Sequence, residues 1–305
     1  MKINPPSKAP WLMVGAVFLT ALVAAQKPAP KPKVASKPVI FAVLDAGKRI
    51  EPIAAIEDGK IVELNVSDAA AGKAFAASHY RAGSAYSIVF GGAQDGKLTV
   101  VKSNIGTECG GESADAKAIP LRAKLSSFVM ALATNAKLKS SQAGYRRRPT
   151  PQERSEIEKL VRAEFGKQGV SATGLKNLRY HNLTALDLDR DDVAEFVGSY
   201  WIAPAANERR LLFFIAERAA DGSLGLRVSD YSAVKPDDVM SGDVKDLDTG
   251  VGHELLLDVL DVDADGVAEI FTIGQAFEGN NYNVYKRSDG KWVKVHETYS
   301  YRCGY

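Results

Sequence analysis

Only two cysteines occur in the 305 residues. That excludes a disulfide-dense scaffold and a four-thiolate zinc site. Histidine is nearly as scarce. The four present, His79, His181, His253 and His296, form no HExxH or other close metal-binding pair. Each is expected on the surface or in a satisfied polar contact. The GxSxG, SxxK and GxxxxGK[ST] patterns are missing, and with them the sequence marks of three common catalytic chemistries. Acid is missing from residues 1–38, which carry six lysines. The formal net charge of +2 therefore hides an acidic body: residues 39–305 hold 33 basic and 37 acidic side chains, and residues 187–305 hold 12 and 23. Nucleic acid needs clustered Lys and Arg, so it is not an expected partner. Hydrophobic residues at 46% and charged residues at 25% exclude both a wholly disordered chain and a multi-span membrane protein.

What is present begins with an export pattern. Lys2 and Lys8 precede an uncharged run, WLMVGAVFLTALVAA, of 15 residues. A bilayer span needs about 20 residues, so the shorter run fits a signal-peptide core better than an anchor, which stays as the alternative. Val23 and Ala25 supply small residues for a cut before Gln26. Residues 1–25 are thus expected to be a signal peptide, leaving no membrane span after cleavage and placing the protein in the periplasm or outside the cell. Residues 26–38 follow, with four prolines and four lysines in KPAPKPKVASKP, a solvated spacer that buries nothing. Export makes an oxidising compartment, in which Cys109 and Cys303 are expected to pair.

From Val39 the chain reads as short strands and tight turns: VIFAVLD, EPIAAIE, KIVELNV. Asp58-Gly59, Asp95-Gly96, Asp221-Gly222 and Asp289-Gly290 are hairpin signals, because both positions tolerate positive φ. Helix is expected at residues 69–79, at residues 124–135, and most clearly from Thr150. There Thr150, Pro151 and Glu153 form a capping box, followed by Ile157, Leu160, Val161 and Phe165 at helical spacing. The polar, breaker-rich stretch 140–149 marks a boundary, and Arg146, Arg147 and Arg148 in it are read as solvated. The domain expectation is a β-rich or α+β N-terminal domain over residues 39–145 and a second domain over 150–305.

One internal repeat carries chemistry. ALDLDRDDVAEFV from Ala185 and VLDVDADGVAEIF from Val259 share D-x-D-x-D-[DG]-V-A-E followed by an apolar strand. The first copy places Asp187, Asp189, Asp191 and Glu195; the second places Asp261, Asp263, Asp265 and Glu269, each 74 residues on. Each copy continues into further strands and an Asp-Gly turn, so the unit is a repeated supersecondary block. Alternating carboxylates on a tight turn repel one another unless a hard dication with oxygen ligands sits among them. Gly266 suits the sharp bend at position 6, which Asp192 holds in the first copy. An EF-hand is a poor fit: position 12 is Gly198 or Thr272 in place of Glu, and strand-like residues follow.

The strand–loop–strand pattern resembles the calcium loops of FG-GAP/VCBS-type repeats, as in integrin-α-like β-propellers. That resemblance covers about residues 177–305. It implies antiparallel four-stranded, blade-like units and structural Ca2+ held by Asp187, Asp189, Asp191, the Val193 carbonyl and Glu195, and by Asp261, Asp263, Asp265, the Val267 carbonyl and Glu269. Glu in place of the commoner Asp at position 9, and Asp192 in place of Gly, depart from the family pattern. A seven-bladed ring does not fit the chain length.

The fold expected is mainly β, with a few short helices. Aromatics late in the chain (Tyr282, Tyr285, Trp292, Tyr299, Tyr301, Tyr305) read first as strand packing and second as a glycan platform. The functional expectation is an exported, calcium-stabilised binding or structural protein without catalysis, with a protein or an envelope polymer as partner. The alternative is a secreted hydrolase of envelope or environmental glycan with calcium in a structural role.

Overall fold

The computed structural model describes residues 1–2, 37–66, 68–138 and 145–303. Most of the expected signal peptide and of the spacer, residues 139–144 and Tyr305 lie outside these. Ser36–Tyr305 form one compact unit. It is mainly β, and every strand pairing is antiparallel.

The first part contains β1 (Val39–Leu44), β2 (Arg49–Glu57), β3 (Lys60–Val62), helix α1 (Ala69–His79), β4 (Ala85–Phe90), β5 (Ala93–Ser103), β6 (Ala114–Pro120) and β7 (Ala131–Thr134). Its sheet runs β1-β7-β4-β5-β6-β2, and β2 pairs back with β1. Six strands therefore close into a barrel, with β3 appended to β2. The closure found is this barrel, not a ring of blades.

The second part opens with β8 (Arg146–Arg147) and α2 (Pro151–Lys167). Then follow β9 (Arg179–Leu186), β10 (Glu195–Ala205), β11 (Glu208–Arg218) and β12 (Leu224–Val234), a meander with β8 on its edge. A second meander has β13 (Glu254–Leu260), β14 (Glu269–Ala276), β15 (Gly279–Ser288) and β16 (Lys291–Tyr301).

Packing explains the apolar runs. All six residues of β1 are buried. Val39, Phe41 and Val43 face the barrel interior with Phe75 of α1, Tyr86 and Leu98. Ile40, Ala42 and Leu44 face the β13–β16 sheet at Leu255, Phe271 and Tyr282. A strand buried on both faces loses its polar alternation. The β13–β16 sheet is covered on its other face too: Leu256, Ile270 and Tyr285 meet Leu186, Val197 and Phe213 of the β9–β11 strands. Helix α2 closes the stack, with Ile157, Val161 and Phe165 on Phe196 and Phe214. The layers run barrel, four-stranded sheet, five-stranded sheet, helix. Among the described residues, no helix is long and apolar enough to cross a membrane.

The capping box of α2 is complete: the Glu153 backbone N–H donates to Thr150 Oγ1 at 3.2 Å, and Thr150 N–H donates to Glu153 Oε2 at 2.6 Å. Helix α1 covers the expected residues 69–79. Three local expectations are corrected. The helix placed at 124–135 is a loop leading into β7, whose four residues are buried between β1 and β4; closing the barrel outweighs their helix propensity. Asp95-Gly96 is not a turn. The β4–β5 hairpin turns at Gly91-Gly92, and Asp95 sits fully buried within β5, accepting from the backbone N–H groups of Arg122 and Ala123. Gly96 has φ 119°, and a Cβ there would meet Ile119 O at 2.2 Å, so the glycine serves close strand approach. Arg146 is not solvated either, as described below.

Candidate metal centre

The two acidic repeats are the β9–β10 and β13–β14 connections, at the same end of the stacked sheets. Ala268 N–H of the second loop donates to Leu188 O of the first at 2.8 Å. Both loops make one and the same backbone turn. Positions 4 and 6 have positive φ in each: Arg190 (64°) and Asp192 (65°), Ala264 (63°) and Gly266 (97°). Asp, unlike a β-branched residue, tolerates this region, which is why Asp192 can stand where the second copy has glycine.

The hydrogen bonds repeat as well. Asp191 Oδ1 accepts from Val193 N–H, and Asp265 Oδ1 from Val267 N–H, both at 2.8 Å. Glu195 Oε2 accepts from Leu188 N–H, and Glu269 Oε2 from Val262 N–H, again both at 2.8 Å. Positions 5 and 9 are thus pinned by the backbone of their own loop. In the first loop, oxygens of Asp187, Asp189 and Glu195 converge within 4.8 Å of one another; in the second, those of Asp261, Asp263 and Asp265 do so. Asp191 and Glu269 stand outside these two groups, and Val193 and Val267 enter through their N–H contacts. Asp187 Oδ1, Asp189 Oδ1 and Asp261 Oδ1 are buried with no hydrogen-bond partner among the described residues. A buried oxygen without a donor is costly, and a cation is one way to satisfy it.

Electrostatics agree with that geometry. Burial pushes Glu195 up to about 8 and raises Asp187, whose neighbours Asp191 and Asp192 add repulsion. Burial also raises Glu269. Two basic side chains from consecutive positions of β15 already reach the loops. Lys286 Nζ donates to Asp263, to Asp265 Oδ2 at 2.9 Å and to Glu269 Oε1 at 3.2 Å. Burial opposes its charge, but the three carboxylates outweigh this and hold the ammonium above its ordinary value. Asp265 is held below its ordinary value because Lys286 and the Val267 N–H outweigh its partial burial. Arg287 Nη1 donates to Asp189 Oδ2 at 2.6 Å, and its Nη2 to Glu217 Oε1 at 2.6 Å. Arg190 of the first loop lies 3.7 Å from Asp261 of the second. The loops are thus tied to each other and to β15.

Elsewhere the structure brings together residues whose spacing in the sequence gives no cue. Arg146, only 6% exposed in its side chain, donates to Met130 O at 3.0 Å and Leu257 O at 2.8 Å. It pairs with Asp258, which also accepts from Gly91 N–H at 2.9 Å. This fastens the barrel to β13 and β8. Glu51, fully buried, accepts from Tyr282 Oη and, at 2.9 Å, from Asn280 Nδ2. Ser199 and His253, both 1% exposed, stand 3.4 Å apart at Oγ and Nδ1, while His253 Nε2 lies 2.9 Å from Leu247 O. That carbonyl only accepts, so Nε2 carries the proton and Nδ1 accepts from the serine. Sealed from solvent, this pair is structural. Tyr282, Tyr285 and Trp292 are buried packing residues, whereas Tyr299 and Tyr301 are exposed. Cys109 and Cys303 form a disulfide with Cα atoms 4.9 Å apart.

In comparisons with known proteins, the chain matches no family model, no curated protein and no solved structure.

Proposed function

We propose that the chain from about residue 177 onward contains two FG-GAP/VCBS-type repeats whose loops each hold one Ca2+, within an exported protein that binds a protein or an envelope polymer. The observation that carries this reading is the exact repetition of the loop turn and its pinning hydrogen bonds 74 residues apart, which leaves buried Asp oxygens unpartnered in both copies. The likeness rests on that loop and on the four-stranded meander whose first two strands each loop joins; blade-like kinship is part of the proposal. The donor set is all oxygen, as a hard cation of this kind requires. Asp187, Asp189 and Glu195 would hold the first ion, and Asp261, Asp263 and Asp265 the second. The ion's role is to remove carboxylate repulsion, so that loops joining two sheets become rigid and the surface around them keeps one shape.

The test is thermal unfolding of the full chain in calcium and in chelator. An ion that binds only the folded state stabilises it by about 2.7 kcal/mol at a hundredfold excess over Kd. Asp187→Asn and Asp263→Asn should each remove part of the shift, and the double variant all of it. Identical curves in calcium and chelator end the metal reading. Export is checked separately: the N-terminal residue of protein recovered from the periplasm or medium should be Gln26.

A further inference from the structure

The two acidic loops share one backbone turn but not one charge balance. The first gathers five acids: Asp187, Asp189, Asp191, Asp192 and Glu195. Among the described residues a single basic side chain reaches them. Arg287 bonds Asp189 at 2.6 Å and stands 3.9 Å from Glu195, and it is shared with Glu217 at 2.6 Å. Asp187, buried at 8% exposure, keeps an oxygen with no hydrogen-bond partner, and no basic side chain lies within ion-pair distance of it among the described residues. The second loop has four acids, and every one meets a cation. Lys286 Nζ spans Asp263, Asp265 at 2.9 Å and Glu269 at 3.2 Å, while Arg190 lies 3.7 Å from Asp261.

The strand pairing shows where the difference is written. In the second copy Ile270 pairs with Tyr285; in the first its counterpart 74 residues earlier, Phe196, pairs with Ala216. The next residue along the third strand is Lys286 in one copy and Glu217 in the other. One register position thus carries an ammonium beside the second loop and a carboxylate beside the first. An ammonium has three N–H donors and no acceptor, and Lys286 turns all three toward oxygens of its loop. Two of those acids, Asp263 and Asp265, belong to the convergent group that suits an ion. Lys286 is also 27% exposed, so it can swing into solvent without burying its charge. In the first loop the convergent group includes Asp187 and Glu195, both buried, where charges interact more strongly than at the surface.

From this we infer that the two loops differ in kind. The first is a tight calcium site that depends on its ion. The second carries its own counter-ion, Lys286, which calcium must displace, so it fills only at higher calcium. The inference rests on the calcium reading proposed above and assigns Lys286 as the residue that sets the affinity of the second loop.

Calorimetric titration of the full chain with calcium chloride tests it. The native chain should show a tight class of site, lost in Asp187→Asn, and a class at least about tenfold weaker, lost in Asp261→Asn. Lys286→Gln should tighten the weaker class at least about tenfold and leave the tight one alone, because the competing charge-assisted bonds are gone. Lys286→Arg keeps the charge and should leave that class weak. Hydrogen exchange on the native chain gives a readout that needs no variant. In chelator the amides of Leu188 and Val193 should exchange faster than in calcium, while those of Val262 and Val267, bonded to carboxylates that Lys286 holds, should stay slow. Two classes of equal affinity, a weaker class unmoved by Lys286→Gln, or equal loosening of both loops in chelator overturns the inference and leaves the calcium reading standing. No calcium bound by either loop ends that reading and this inference with it.

Discussion

His253 is buried against Leu247 O and Ser199, with His181 at 4.3 Å between ring centroids. Burial, with a smaller contribution from His181, pushes its imidazole down to about 3. His181 is lowered by burial too. The unfolded chain takes a proton on His253 below the ordinary value of 6.5, while the folded chain refuses it until about 3. Stability held above pH 6.5 is therefore lost as pH falls toward 3. At pH 4.5 the loss from this one group is about 3 kcal/mol. Urea unfolding at pH 7 and pH 4.5 should show a steeper fall for the native chain than for His253→Gln, which cannot titrate; equal falls would mean the ring is not held neutral. Little of this was legible in the sequence. His253 reads there as one more polar residue, and only its neighbours from β10 and the 247 turn give it a partner. Arg146 is the sharper case. In a polar stretch with two further arginines it reads as solvated, because its anchors Met130, Leu257 and Asp258 are distant along the chain.

At the scale of elements, local signals were legible where local chemistry decides. The α2 capping box, α1, and the turns at Asp58-Gly59 and Asp289-Gly290, all four residues at positive φ, follow from neighbours in sequence. The same Asp-Gly pair at 95–96 is a strand segment, since Asp95 is claimed by Arg122 and Ala123 from the next loop. The acidic loops were legible as motifs, but not the strand that serves both. On β15 successive side chains leave opposite faces, so Lys286 and Arg287 reach different loops. Lys286 is 27% exposed and answers three carboxylates. Lys286→Gln is expected to cost about 1–3 kcal/mol in chelator, from lost bonds to charged groups. Calcium should narrow that gap, because an ion in the second loop does the same neutralising work. Denaturant curves of both proteins, with and without calcium, measure it. A variant as stable as the native chain in chelator would show that Lys286 is a bystander.

The architecture of the whole molecule depends on pairings that no local pattern announces. Barrel closure joins β1 to both β2 and β7, and the sequence around β7 suggests helix because nothing near residue 131 signals a partner at residue 40. The β13–β16 sheet then lies between the barrel and the other meander, with apolar faces on both sides. Polar ties cross from the barrel to this sheet at Asp258 to Gly91, at Tyr282 and Asn280 to Glu51, and at His296 to Ile53 O. The disulfide adds a covalent one, from the β5–β6 connection at Cys109 to Cys303 after β16, across 194 residues of chain. Chain entropy sets its upper contribution at about 5 kcal/mol, and native bridges commonly give 2–5. In a unit of this size such a loss corresponds to roughly 5–15 °C in Tm. Cys109→Ser/Cys303→Ser should therefore melt lower by that amount while keeping the fold, because the apolar faces and the Glu51 contacts still join barrel and sheet. Hydrogen exchange should rise first at the end of β16, around Tyr299 and Tyr301, where the bridge holds the final strand, and should stay slow in β13 and β14, which are covered on both faces. An unchanged Tm would show that the apolar and hydrogen-bonded contacts already determine the closure. Collapse of protection in β14 would show the opposite, that the barrel and sheet are held together chiefly by the bridge.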